Sequence, residues 1–294
     1  MRFKAIPPGA HLLLVGDVDQ LPSVGAGEVL RDILAADTIP RVRLTQIFRQ
    51  AQQPGVVVNA HRINAGQSPV FGVHPDFFLF PADEPEATAE RVVDLVARRI
   101  PAKFGIPPRE IQVLAPMFSG PAGAGTLNTL LQQALAPARD NIPERRHGAR
   151  VFRPGDKVIQ IRNNYDKGTA GVFNGTVGTI TALSVTDQQL TVRTDEDEDI
   201  VYDFDELDEL QHAYAITVHR SQGSEYPAVV VPLTMSAYTL LQRNLLYTAV
   251  TRAKRLVVLA GSRKALAIAV RTAGTGRRHT ALTHRLQKPG NTAG

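Results

Sequence analysis

His219, Gln222 and Glu225 fall at every third position of "HRSQGSEY" (219–226), a polar octapeptide set between the apolar runs "AYAITV" and "PAVVVPL". Three other places gather side chains of the same kind: Gly16, Asp17 and Gln20 after "HLLLV", Gln46 and Arg49 in "LTQIFRQ", and Thr251 and Arg252 in "TAVTRA". A guanidinium is planar, permanently charged and forked, so it matches a phosphate group and stabilises charge that grows on it during transfer. Two such arginines, with an amide, a carboxylate and a histidine at strand ends, are explained economically by one phosphate-bearing ligand. Blander roles compete for each residue taken singly. Arg252 could be the partner of a helix end, His219 a core histidine, Gln222 a helix cap, and His61 and Arg62 of "NAHRINAG" structural.

The elements that must position these groups follow from the apolar patterning. "AHLLLVGD" (10–17) is a continuous apolar run ending in Gly-Asp, which predicts a buried parallel strand delivering a carboxylate at its end. "QLPSVGAG" reads as a loop, and "EVLRDILAA" as a helix with Val29, Leu30, Ile33 and Leu34 on one face. "RVRLTQIFRQ" predicts a short strand running into a polar turn, and "VVVNAHRINAG" a helix stopped by Gly66. Between 67 and 87, prolines and glycines break the pattern. "TAERVVDLVARRI" places Val92, Val93, Val96 and Ile100 at helical spacing, and "EIQVLAPM" is the next buried strand. "GPAGAG" (120–125) predicts a flexible loop. From about Arg150 the rhythm changes to period-two segments punctuated by Pro-Gly, Asn-Gly and Asp-Gln turns, as expected of a small antiparallel barrel. "YAITVH", "AVVVPL" and "RLVVLAG" then resume the buried parallel style around the helix "LLQRNLLYTAVTRA". The fold class expected is α/β, a parallel-sheet domain with a small β-barrel inserted in it. In such sheets ligands sit beyond the carboxyl ends of the strands, and four separate strand ends here carry the polar clusters.

Composition bounds the rest. The chain has 294 residues, 43% of them hydrophobic, and no cysteine, so disulfides and thiolate metal sites are excluded and an intracellular, cytoplasmic address is the expectation. The apolar runs are far shorter than the roughly 20 residues a membrane span requires, so no membrane partner is expected. The net charge of +5 is local: residues 256–294 carry Arg263, Lys264, Arg271, Arg277, Arg278, Arg285 and Lys288 and no acid. That segment predicts a solvated, partly disordered basic tail, or one that attracts phosphate backbones. "DEDED" (195–199) reads as a solvated charge run, since neighbouring carboxylates on a strand splay to opposite faces.

Taken in order, "LLLVGDVDQLPSVGAGEVLRDI", "LTQIFRQ", "VLAPM" with "GTLNTLLQ", "PGDKVIQIRNNYDKG" with "VFNGTVGTI", "AYAITVHRSQGSEYPAVVV" and "LLYTAVTRAKRLVVLAG" resemble consecutive motifs of the RecD-like superfamily 1 DNA helicases, over about residues 5–263. The resemblance implies a second RecA-like motor domain of a P-loop helicase with an inserted SH3-like barrel that guides the DNA strand. It implies catalytic roles for Gln20, as sensor of a γ-phosphate, and for Arg49 and Arg252, as arginine clamps. Gly16, Asp17, Gln222, Gly223 and Glu225 are then nucleotide-binding, the glutamate near the ribose. Pro22, Ser23, Thr217 and His219 touch single-stranded DNA, with Leu21 beside them and Tyr247 and Thr251 on the helix of Arg252. The domain division expected is 1–80, end of a first motor domain and start of the second; 81–149, first part of the second; 150–208, barrel; 209–263, second part; and 264–294, flexible basic tail.

One departure stands out. No Gly-Lys-Ser or Gly-Lys-Thr occurs in the 294 residues, so the loop G-x-x-x-x-G-K-[ST] that holds phosphates and Mg²⁺ is not among them. The expectation is therefore the C-terminal half of an ATP-dependent, 5′→3′ DNA helicase acting in repair or recombination. ATP with Mg²⁺ would be shared with a first motor domain, for which a separate chain is one candidate source, and the chain by itself would be inactive. The alternatives are a single-stranded-DNA-binding module without nucleotide hydrolysis, and an inactive helicase remnant.

Overall fold

The computed structural model describes residues 7, 9–22, 27–44, 54–274 and 281–287. The chain divides into two compact units, residues 1–46 with 276–294, and residues 47–275.

In the first unit, α1 (Val29–Ala35) forms where the helical face was expected and buries Ile33, with Leu30 and Leu34 half-buried. A second helix, Leu282–Gln287, lies against α1: Thr38 Oγ1 donates to the Leu286 carbonyl at 3.1 Å and Thr283 Oγ1 to the Asp32 carbonyl at 3.4 Å. Part of the expected flexible tail is thus a helix with a partner. The strand expected over 10–17 is not formed. These residues have no regular structure and leave Leu13 and Val15 84% and 88% exposed, and no strand among the described residues pairs with them through a ladder of N–H and C=O groups. Residues 41–44 of the second expected strand also lack regular structure, with Val42 and Leu44 exposed, and the polar turn after them lies outside the described residues.

The second unit begins with α2 (Gly55–Asn64), which ends as its Gly66 predicted. Gly66 takes φ +74°, its N–H bonds to the Ile63 carbonyl and that of Gln67 reaches back to Arg62, a left-handed cap that satisfies the last carbonyls. A strand that the periodicity did not show follows: β1 (Phe77–Pro81), within the stretch expected to be irregular. Its run "FFLFP" follows Pro75, ends in Pro81 and is only partly buried, so alternation is missing. A long helix comes next, α3 (Pro85–Asp94), a π-turn (Leu95–Arg99) and α4 (Ile100–Phe104). The Ile100 N–H reaches the Leu95 carbonyl, and the wider turn sits just before Pro101, whose ring has no N–H to give to an α-helical ladder. It keeps Val92, Leu95, Val96 and Ile100 buried on the sheet. β2 (Ile111–Ala115) is buried throughout. The glycine-rich "GPAGAG" is an ordered turn leading into α5 (Ala124–Leu135): Ala124 and Gly125 N–H groups bond to the Met117 and Phe118 carbonyls, and a Cβ on Gly123 would come 2.2 Å from the Ser119 carbonyl oxygen.

The insertion opens with the hairpin β3 (Arg145–His147) and β4 (Arg150–Phe152). It continues as an antiparallel sheet of β5 (Lys157–Gln160), β6 (Val177–Ser184), β7 (Gln189–Thr194), β8 (Asp199–Asp203) and β9 (Leu210–His212), in the order β8-β7-β6-β5-β9. Phe152, Val158, Ile180, Val192, Ile200 and Tyr202 fill its separate core. Its strands run past both limits of the expected 150–208 stretch, because three-residue strands carry no readable period.

The chain then returns to the first sheet with β10 (Ala215–Thr217), β11 (Tyr226–Leu233), α6 (Arg243–Thr251), β12 (Ala253–Gly261) and α7 (Arg263–Arg271). All neighbours in this sheet pair in parallel, in the order β1-β12-β11-β2-β10. Asn128 of α5 fastens the edge strand: its amide exchanges two 2.8 Å bonds with the backbone of Ala215. α7 corrects the expectation of a tail starting at 264. It buries Ala265, Leu266, Ala269 and Val270 and is capped by Ser262, which accepts from the Lys264 N–H.

Candidate functional site

β10 ends at Thr217 and β11 begins at Tyr226, so the polar octapeptide is the loop between two parallel strands. Its shape comes from a buried pivot. Ser221 is fully buried, its Oγ donating to the Val218 carbonyl at 2.8 Å, and Ser224 N–H returns to the Ser221 carbonyl at 3.1 Å. Gly223 between them takes φ +88°, a conformation that favours glycine. With Ser221 turned inward, His219, Arg220, Gly223 and Glu225 are exposed and Gln222 is half-buried.

Arg252 closes against this loop from the end of α6. It is buried, with NH1 donating to the Ser224 carbonyl at 3.1 Å and Nε to the Thr248 carbonyl at 3.4 Å, while its own carbonyl accepts from Tyr226 N–H at 2.8 Å. The helix-end role and the place beside the octapeptide are therefore filled by one side chain. Glu225 pairs with Lys254 at 3.5 Å; both are half exposed, so the pair contributes under about 1 kcal/mol. Thr217 thus stands at the carboxyl end of β10, Glu225 and Arg252 stand where β11 and β12 begin, and the octapeptide with His219, Gln222 and Gly223 runs between these two levels of the parallel sheet.

Two cavities flank the octapeptide. One, of about 440 Å³, is lined by Phe118, Asn128, Arg150, Arg153, Thr217 and Arg220. The other, of about 590 Å³, lies between Gln160, Asn174 and Thr176 of the insertion and His219, Gln222 and Gly223 of the loop. The insertion is held here by buried polar groups. The fully buried Asp156 carboxylate accepts from Gln132 Nε2 at 2.7 Å, the Arg153 N–H at 2.7 Å, Tyr214 OH at 2.9 Å and His212 Nε2 at 3.2 Å. Burial and that carboxylate push the Tyr214 phenol well above its ordinary value. The next residue, Lys157, donates to the Arg109 carbonyl at 3.1 Å and lies 5.8 Å from the centre of the Tyr226 ring. Burial pushes its ammonium down to about 8, against the opposing pull of Asp195. Lys157, Lys254, Asn174 and Thr176 escaped the sequence reading. A lysine in an alternating strand reads as solvated, and cross-element contacts leave no local pattern.

The remaining predicted residues belong to the other unit or fall outside the described residues. Asp17 accepts from Asp19 N–H at 2.9 Å and from Gln20 Nε2 at 3.0 Å, so "GDVDQ" folds on itself. Gly16 sits where a Cβ would come 2.8 Å from Leu30 of α1, and Pro22 follows the buried Leu21. Ser23, Gln46 and Arg49 lie outside the described residues. Among the described residues no cluster of potential metal ligands occurs.

Three family models match the chain: an AAA domain over residues 2–74, the SH3 domain of ATP-dependent RecD-like DNA helicases over 127–193, and the UvrD-like helicase C-terminal domain over 212–260. The chain is 39% identical over 287 residues to the ATP-dependent RecD2 DNA helicase of Deinococcus radiodurans, an alignment covering 97% of this chain and 37% of that protein. This chain is a relative of the RecD-like helicases. It is also 31% identical to the RecBCD enzyme subunit RecD of Mycobacterium tuberculosis, over 98% of this chain and 50% of that one. The chain thus spans half or less of the length of these RecD-like relatives. Among solved structures, a Bacteroides Pif1 helicase in complex with ADP-AlF3 and ssDNA aligns with TM-score 0.49 at 20% identity, over 83% of this chain and 60% of that one. The SH3 match falls on the inserted antiparallel sheet and the UvrD-like match on the octapeptide, α6 and most of β12, so the RecD-like assignment rests on the elements that build the site.

Proposed function

We propose that this chain supplies the second motor domain, with its SH3-like insertion, of an ATP-dependent RecD-like DNA helicase. The observation that carries the reading is the octapeptide loop, which leaves the carboxyl end of β10, with Arg252 tucked against its Ser224 carbonyl where β11 and β12 begin. The division proposed is residues 1–80 for the end of a first motor domain and the start of the second, 81–149 and 209–263 for the second, and an insertion about 150–208, with the short strands at its edges joining it. The phosphate loop would come from polypeptide outside these 294 residues, in the same chain or a partner's.

The residues present fit a nucleotide. Gln222, Gly223 and Glu225 stand on a loop shaped by Ser221, and Arg252 is a guanidinium already desolvated beside that loop, where it acts more strongly on a phosphate than in water. ATP with Mg²⁺, when bound, supplies the phosphoryl group whose hydrolysis drives the motor. Toward it Arg252 and Arg49 would neutralise charge, Gln20 would orient at the γ-phosphate, Glu225 would receive the ribose, and Asp17 would hold Gln20 in place. Thr217 and His219, on the strand end leading into this loop, would touch single-stranded DNA, the role that the resemblance gives Pro22 and Ser23 as well. A strand held at His219 then feels the state of Gln222, three residues on. This reading places the protein with DNA in the cytoplasm, in repair or recombination, moving 5′→3′. No helix among the described residues is long and apolar enough to cross a membrane.

The purified chain is expected to bind oligo-dT weakly, with affinity falling at a log–log slope of roughly −0.7 per phosphate neutralised. His219→Ala should weaken binding about fivefold, the worth of one charge-assisted or polar backbone contact. Fluorescence anisotropy over a salt series measures both. An affinity for oligo-dT unchanged by His219→Ala would remove the octapeptide from the DNA path.

A further inference from the structure

Tyr165 and Phe173 are exposed large aromatics, 72% and 47% accessible, that face each other edge to face with ring centres 5.9 Å apart. Both stand on the loop between β5 and β6 of the insertion, which is tied rather than loose. Asn164 and Val172 exchange two 2.7 Å backbone bonds across it, and Gly171, at φ +87°, lets the chain pass within reach of the Tyr165 backbone. Asn163 links the rings to the neighbouring groove: its Nδ2 donates to Tyr165 OH at 3.2 Å, and its Oδ1 accepts from the N–H of Asn174 at 2.9 Å. Asn174 and Thr176 form one wall of the 590 Å³ groove whose other wall is His219, Gln222 and Gly223. Rigid aromatic faces at the rim of a polar groove match what a single nucleic-acid strand offers, bases on one side and a phosphate backbone on the other.

We propose that Tyr165 and Phe173 form a stacking platform for the bases of a single strand whose backbone runs in the groove between Asn174–Thr176 and the octapeptide. The proposal rests on the reading of this chain as a single-strand-binding motor domain and adds to it a base contact on the insertion. A protein-docking patch fits less well, because the rings are set among Asn163, Asn164, Asp166, Lys167 and Thr169 rather than in a contiguous apolar surface. Stacking on a fixed ring pair is tolerant of sequence, since every base has a π-face, so the platform would grip without selecting.

The test compares oligo-dT with an abasic oligomer of equal length, which keeps the phosphates and lacks the faces. The unmodified chain should bind oligo-dT about tenfold or more tightly than the abasic strand, the scale of one or two stacked bases. Tyr165→Ala and Phe173→Ala should each lose much of that preference while leaving abasic affinity and salt slope in place. Tyr165→Phe, which keeps the ring and loses the hydroxyl, should retain the preference and shows that a loss in the alanine variants is not misfolding. Equal oligo-dT affinity in the alanine variants, or an equal loss on both oligomers, overturns the platform but leaves strand binding by the octapeptide standing. Binding of neither oligomer by the unmodified chain overturns the strand-binding reading itself, and the platform with it.

Discussion

Lys157 shows what a single buried group does to the fold. Its ammonium is enclosed between the insertion and the parallel sheet, and its value near 8 lies below the ordinary 10.5 because burial penalises the charged form. At pH 7 the lysine is protonated in folded and unfolded chains alike and the full penalty, on the order of 3 kcal/mol, is in place. As pH rises from about 8 to 10.5 the folded protein releases a proton that the unfolded chain still holds, so stability increases across that window. Lys157→Met removes the charge but strands the Arg109 carbonyl, which costs about 1 kcal/mol. The net expectation is a gain of about 1–2 kcal/mol at pH 7 and loss of the rise between pH 8 and 10.5, read from urea unfolding across pH. A destabilised variant with the wild-type pH profile would show the charge to be compensated in place. Such a residue was not legible in "PGDKVIQIRNN", whose local pattern carries no sign that a second element encloses Lys157. The exposure of His219 and the half-burial of Gln222 were legible from a polar octapeptide between apolar runs, whereas for Arg252 the sequence left open the helix-end role that it fills as well as its place beside the loop.

Among the elements, long periodic stretches were legible and short or one-sided ones were not. The expected helices at 29, 55, 85 and 243 and the buried strands at 111, 226 and 253 form. β1 escaped because it is flanked by prolines and packed on one neighbour, β12. β9 escaped at three residues, and α7 was hidden by a basic composition that suggested solvation. The apolar side of α7 makes a direct distinction: Leu266 is buried, so Leu266→Ala should cost about 2–4 kcal/mol, where a flexible tail would show a change near zero. Chemical denaturation of the purified chain decides between the two. The strand expected at 10–17 did not form, although its sequence is strongly strand-like. Apolar runs encode burial, and burial depends on a neighbour the run cannot itself supply.

At the scale of the whole molecule, the insertion and the parallel sheet share Asp156, which takes bonds from α5, from β9 and from the segment before β10. Removing that acceptor leaves several buried donors unpaired, so Asp156→Ala should cost about 3–5 kcal/mol. Residues 47–275 should unfold in one calorimetric transition; two separate transitions would show the insertion to be an independent body. The central claim, that this chain completes a nucleotide site with its arginine and octapeptide, is tested most directly by ATP hydrolysis. The purified chain alone should show no turnover above background, since the 294 residues contain no phosphate-loop lysine. Supplied with a polypeptide bearing a RecD-like first motor domain, it should gain hydrolysis stimulated by single-stranded DNA, and Arg252→Ala should reduce that turnover by about 10³-fold. Stimulated hydrolysis by the chain alone, or an undiminished rate with Arg252→Ala in the completed motor, would contradict the account.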